Sequence, residues 1–108
     1  MLLTPFSADA EDEGPRPLSR PMKSSFGEIP NQFAADAYDA VYILKAALEA
    51  AGCTADMSAV DICEALVPVM PTITVDGLTG QGMTWDASGA VSKAPMAVVI
   101  ENGVYVLP

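Results

Sequence analysis

Apolar residues recur every three or four positions between residues 31 and 52, and that spacing predicts one long amphipathic helix. Phe33, Ala37, Val41, Leu44 and Leu48 form its expected buried stripe, and Tyr38 and Tyr42 extend that face. Asp36, Asp39, Lys45 and Glu49 fall mostly elsewhere, with Lys45 and Glu49 spaced to pair across one turn. The start and stop are both written locally. Asn31, directly after Pro30, suits an N-cap because its side chain can accept an orphan backbone N–H. Gly52 stands where a left-handed residue ends a helix.

A second helix is signalled by Ser58-Ala59-Val60-Asp61, a capping box with Asp in place of Glu. Ile62, Leu66 and Met70 give it a buried stripe, with Cys63 alongside, and Pro68 should end or kink it. From residue 72 the pattern changes to strands and turns. Thr72 to Val75 is short and β-branched, Asp76-Gly77 and Thr79-Gly80 signal turns, and Gln81 to Trp85 reads as a strand before a turn at Asp86–Gly89. Met96 to Ile100 and Val104 to Leu107 flank Asn102-Gly103, a strong hairpin signal.

The first thirty residues follow no such period. Met1 to Phe6 is apolar and interrupted by Pro5, which suits an extended edge or hinge segment. Asp9 to Glu13 reads as an acidic loop. Pro15, Pro17, Pro21 and Pro30, with Gly14 and Gly27 between, predict an irregular loop with at most a short turn around Met22 to Phe26.

Charge narrows the function classes. The chain has 108 residues and a net charge of −9 with no histidine. A phosphate backbone or an anionic membrane surface would repel it, so nucleic-acid binding is not expected. One small domain with a modest core is the expectation at this length. No run approaches the roughly 18 apolar residues of a membrane span, and the start carries no basic segment of a signal peptide. Cys53 and Cys63 could bridge or remain two buried thiols. Without histidine or a Cys-x-x-Cys pair, no zinc site is expected, nor any other cofactor. No Gly-x-Ser-x-Gly elbow or phosphate loop is present, so the expectation is a protein that is not an enzyme. Asp36 and Asp39 could suggest a carboxylate pair, but Asp near a helix N-terminus is favoured by the dipole alone. Trp85 is expected to pack beside its turn and Glu101 to be solvated.

Four blocks carry a family resemblance. Phe-x-x-x-x-Tyr-Asp-Ala-Val-Tyr spans Phe33 to Tyr42, and Val-Asp-Gly-Leu-Thr-Gly spans Val75 to Gly80. Met83 to Gly89 is followed by Lys93-Ala94-Pro95 and the Asn102-Gly103 hairpin. In this order and spacing the blocks resemble the type I periplasmic binding proteins, in particular the branched-chain amino-acid-binding subfamily of ABC-transporter substrate-binding proteins.

The resemblance implies an α/β fold, namely the C-terminal fragment of a two-lobed binding protein: two helices, short strands and a terminal β-hairpin. Residues 1–30 would be a crossover segment and a proline-rich loop. Residues 31–93 would complete the first lobe, and 94–108 would be the third crossover and the hairpin of the second lobe. Thr4, Pro5, Phe6 and Ser7 would then belong to one hinge segment, and Ala94, Pro95 and Met96 to another. Phe33 would line the side-chain pocket or serve as the first core residue of its helix. The implied ligand is an amino acid, branched-chain by the subfamily alone, and the implied partner is an ABC transporter permease. The implied location is periplasmic or extracellular, membrane-associated as a lipoprotein in the full-length parent. A ligand-sensing receptor domain of the same fold is an alternative, as is a non-binding fragment that self-associates through exposed strand edges. Relatives carry a regular helix before Phe-Gly-Glu-Ile-Pro, and the prolines of residues 14–21 depart from that.

Overall fold

A computed structural model of the chain describes residues 1–7 and 16–108; the acidic run Asp9–Glu13 and the first residues of the proline-rich stretch lie outside them. The order is β1 (Leu2–Thr4), α1 (Arg16–Phe26), α2 (Gln32–Ala51), α3 (Ala59–Val69), β2 (Val75–Gly77), β3 (Gly80–Trp85), β4 (Val91–Ser92), β5 (Met96–Glu101) and β6 (Val104–Val106). The strands form two antiparallel three-stranded sheets, β1-β5-β6 and β2-β3-β4. The fold class is therefore α/β, as the resemblance implied.

α2 begins and ends where its caps predict. Asn31 Oδ1 accepts the Ala34 N–H at 3.0 Å, and Gly52 ends the helix with φ 66°. The Gly52 and Cys53 N–H groups then donate to the Glu49 and Leu48 carbonyls, so two orphan acceptors are satisfied. In α3, Ser58 Oγ accepts the Asp61 N–H at 3.2 Å.

Of the two expectations about proline, one fails and the other holds to within a residue. α1 is a helix where an irregular loop was expected, and α3 continues through Pro68 to Val69 before a 3₁₀ turn at Met70–Thr72. Pro17 lies in the first turn of α1, where an N–H has no helical acceptor anyway. Pro68 withdraws one ladder bond next to the end of α3, and Pro21 withdraws one in the middle of α1. Leu18 and Met22, one turn apart on one face of α1, are half-buried. Because the 3₁₀ turn takes Thr72, the next strand starts only at Val75, and Asp76-Gly77 lies within it rather than in a turn.

The larger correction concerns α2. Its expected buried stripe faces outward: Phe33 is 71% exposed, Val41 67% and Leu44 53%. Ala37 is exposed and Leu48 half-buried. The side that packs carries Ala35, Asp39 and Ala47, which are buried, flanked by half-buried Ile43 and Ala46, and it meets α3 and β2. Small residues there let neighbouring backbone approach closely. α2 is apolar around most of its circumference, and such a helix is built to be covered on two sides. Periodicity found the stripe with the larger side chains, and this chain covers the one with the smaller.

α3 follows suit. Ile62, Leu66 and Met70 are half-buried rather than buried, and Cys63 is exposed. The fully buried apolar residues described are Phe6, Ala35, Ala47, Met83 and Val98. The accessible surface is 7270 Å² for a chain of 11.2 kDa, whereas a closed monomer of that mass exposes roughly 5,700 Å².

Candidate functional site

The two segments expected as crossovers lie side by side. β1 runs antiparallel to β5, with Thr4 opposite Met96, Leu3 opposite Ala97 and Leu2 opposite Val98. Beyond Thr4 the chain turns inward: Phe6 is 5% exposed and Ser7 4%. Pro5 is half-buried, while Ala94 and Pro95 are exposed on the approach to β5. Strand pairing thus joins stretches about ninety residues apart in sequence.

Beside this ribbon is a cavity of about 580 Å³. Its walls are Leu2 to Thr4, Phe6 and Ser7 from the first segment, Ile29 to Phe33 at the entry to α2, and Val98, Val104 and Tyr105 from β5 and β6 of the same sheet as β1. Phe33, the residue carried over as a pocket residue, stands in that wall. It is not the first core residue of its helix, because most of its surface is open. The lining is chiefly aliphatic and aromatic, which suits an apolar side chain.

Polar contacts at the wall are already engaged. Thr4 Oγ1 lies 3.0 Å from both the Phe6 carbonyl and Gln32 Oε1, and accepts the Phe6 N–H at 3.3 Å. A single hydroxyl proton serves one of those two oxygens at a time. Either way Thr4 ties the segment after β1 to the start of α2.

A second cluster was not foreseen as a unit. Asp39, 3% exposed, accepts three hydrogen bonds: from the Leu78 N–H at 2.9 Å, the Thr79 N–H at 2.8 Å and the Thr79 hydroxyl at 2.7 Å. A Cβ on Gly77 would stand 2.7 Å from that carboxylate, so the turn closes on Asp39 only with glycine there. Lys93 Nζ donates to Thr79 Oγ1 at 2.9 Å and reaches Asp36 at 3.4 Å. Asp36 and Asp39 are therefore separate anchors and not a carboxylate pair for acid–base work. The signal was present in the sequence, since the block around Tyr38-Asp39 and the block around Gly77-Leu78-Thr79-Gly80 are the ones that meet.

The remaining candidates are quiet. Cys53 is half-buried and Cys63 exposed, and both are free thiols. Trp85 is half-buried beside the Asp86–Gly89 turn, and Glu101 is exposed. Tyr38 donates to the Tyr42 hydroxyl at 3.4 Å with ring centroids 5.1 Å apart, and that bond, ahead of slight burial, raises the Tyr38 phenol above its ordinary value. Among the described residues no group of three or more His, Cys, Asp or Glu is placed to hold a metal. No described helix is long and apolar enough to cross a membrane.

No protein-family model and no curated protein matches the chain. Among solved structures the chain is similar to "a putative branched-chain amino acid ABC transporter from Rhodospirillum rubrum". The similarity covers 99% of this chain at 27% identity with a TM-score of 0.71, and 30% of that protein's chain. It bears out the resemblance read from the four sequence blocks: the fold is that of part of a transporter-associated binding protein.

Proposed function

We propose that this chain is the hinge-bearing part of a solute-binding component of an ABC uptake transporter, with a branched-chain amino acid as the ligand of the complete protein. The observation that carries the reading is the pairing of Thr4 with Met96 beside an apolar cavity that has Phe33 in its wall. A binding protein that closes on its ligand needs crossover strands close together and a pocket next to them. Both features are built from the segments that the resemblance assigns to those roles.

In this reading residues 1–30 hold a crossover, residues 31–93 complete one lobe, and residues 94–108 hold another crossover and a hairpin of the second lobe. Phe33 contacts the ligand's side chain. The groups that hold its ammonium and carboxylate come from the part of the protein without a counterpart in this chain. The complete protein works in the periplasm or outside the cell as a lipoprotein, delivers its ligand to a permease and performs no catalysis.

A second reading concerns the chain in isolation. The open stripe on α2 and the exposed residues Val104 and Tyr105 on the edge strand β6 favour self-association without ligand binding.

A graft tests the main reading. This chain replaces the corresponding part of the Rhodospirillum rubrum protein, and leucine, isoleucine and valine are titrated calorimetrically. Saturable binding is expected, weakened about tenfold or more by Phe33→Ala, which corresponds to about 1.4 kcal/mol. A folded graft that binds none of the three would overturn the reading.

A further inference from the structure

We infer that Lys93 is a positioning residue that pins one end of the β5 crossover, leaving Ala94 and Pro95 as the pivot between two fixed points. The inference rests on the proposed role of residues 94–96 as a crossover.

On one side of Ala94-Pro95 stands Lys93. Its ammonium donates to Thr79 Oγ1 at 2.9 Å and reaches Asp36 Oδ1 on α2 at 3.4 Å. Thr79 is 2% exposed, and its hydroxyl passes its own proton to Asp39 at 2.7 Å while accepting from Lys93. A threonine hydroxyl has one donor and two acceptor positions, so both bonds coexist. Asp39 in turn holds the Leu78 and Thr79 amides. Lys93 is therefore tied, through two side chains, to α2 and to the turn between β2 and β3. The stem is fixed as well: a Cβ on Gly80 would stand 3.0 Å from Lys93 Cβ, so the backbone of that turn lies directly against it.

On the other side of the pair stands Met96, held opposite Thr4 in the β1–β5 ladder. Thr4 is itself tied to Phe6 and Gln32. Ala94 and Pro95 are exposed and belong to neither sheet. Ala94 and Pro95 are thereby the unpaired link between the Lys93 anchor and the β1–β5 ladder. The ammonium is needed, because an uncharged stem of the same length would cover the turn without holding it.

The test is ¹⁵N relaxation and amide exchange on the 108-residue chain, wild type against Lys93→Met. In the wild type the Ala94 amide should be ordered, with an order parameter near the rigid value of about 0.85. In Lys93→Met it should fall toward about 0.6, and the Leu78 and Thr79 amides should exchange about tenfold faster. The amides of the β1–β5 ladder should keep wild-type protection. Unchanged Ala94 order and unchanged turn exchange would overturn the inference, as would equal loosening of the ladder. If Lys93→Met does not fold, Asp36→Ala decides on the same readouts, since it withdraws only the longer contact. Loosening confined to residues 93 and 94 then supports the anchor, and wild-type behaviour overturns it. None of these readouts involves a ligand, so a failed graft titration and a failed anchor are separate outcomes.

Discussion

Asp39 Oδ2 accepts both the backbone N–H and the hydroxyl of Thr79, at 2.8 and 2.7 Å, from forty residues away in sequence. With the Leu78 N–H on its other oxygen, one buried carboxylate fixes the turn between β2 and β3 against α2. Replacing it by alanine leaves two amides and a lysine-bound hydroxyl without their acceptor. Breaking a buried charged network from one side costs about 3–5 kcal/mol. Asp39→Ala is expected to lose stability of that order in urea unfolding followed by Trp85 fluorescence. A loss below about 1 kcal/mol, the range of exposed ion pairs, would show that the network is incidental.

Gly77 is coupled to the same carboxylate. A Cβ there stands 2.7 Å from three Asp39 atoms that cannot swing away without giving up their bonds. Gly77→Ala should cost about 1–3 kcal/mol as an overpacked contact. In an Asp39→Ala background it should cost distinctly less, because the obstructing group is gone. A double-mutant cycle reads this directly, and strict additivity would refute the steric account.

Phe33 should behave as a surface residue of this chain despite its place in a hydrophobic period. At 71% exposure it has little packing to lose. Phe33→Ala should change unfolding stability by no more than about 0.5 kcal/mol, against the roughly 3–5 kcal/mol expected of a buried phenylalanine. A loss in the larger range would place Phe33 in the core and withdraw it from the cavity wall.

The Asp86–Gly89 turn should weaken in acid. The Ser88 hydroxyl at 2.6 Å, then the Ala90 and Ser88 N–H groups, hold the Asp86 carboxyl below the usual carboxylate range. A carboxyl depressed in the folded state adds stability above its unfolded value, and that stability is lost as pH falls through the lowered folded value. Ser88→Ala removes the leading cause, so the carboxyl should titrate closer to its ordinary value. Side-chain carbon shifts of Asp86 against pH measure it, and an unmoved midpoint would assign the depression to the backbone amides alone.

Local chemistry made much of the fold legible in the sequence. Asn31, Ser58 and Gly52 mark helix ends because capping is decided within four residues. Asn102-Gly103 marks its hairpin because both residues take positive φ, 51° and 81°. The exposed side of α2 was not legible, because a period of 3.6 identifies apolar faces without saying which one finds a partner. The α1 helix was misjudged because prolines were counted rather than placed. The cavity was not legible in the sequence: the resemblance named Phe33 as a pocket residue and the segments at Thr4 and Met96 as two crossovers, and only the fold sets them side by side. The Asp39–Thr79–Lys93 network spans more than fifty residues, and no local spacing connects its members.

Sedimentation velocity of the purified chain, with and without a mixture of leucine, isoleucine and valine, tests the central claim most directly. A stable interface covers roughly 800 Å² on each partner, and the open stripe of α2 with the edge of β6 offers apolar surface for one. The expected result is a dimer or larger species whose sedimentation is indifferent to the amino acids. A monomer that becomes more compact when they are added would mean that the chain carries a complete binding site by itself, contradicting its assignment as one part of a two-lobed binding protein.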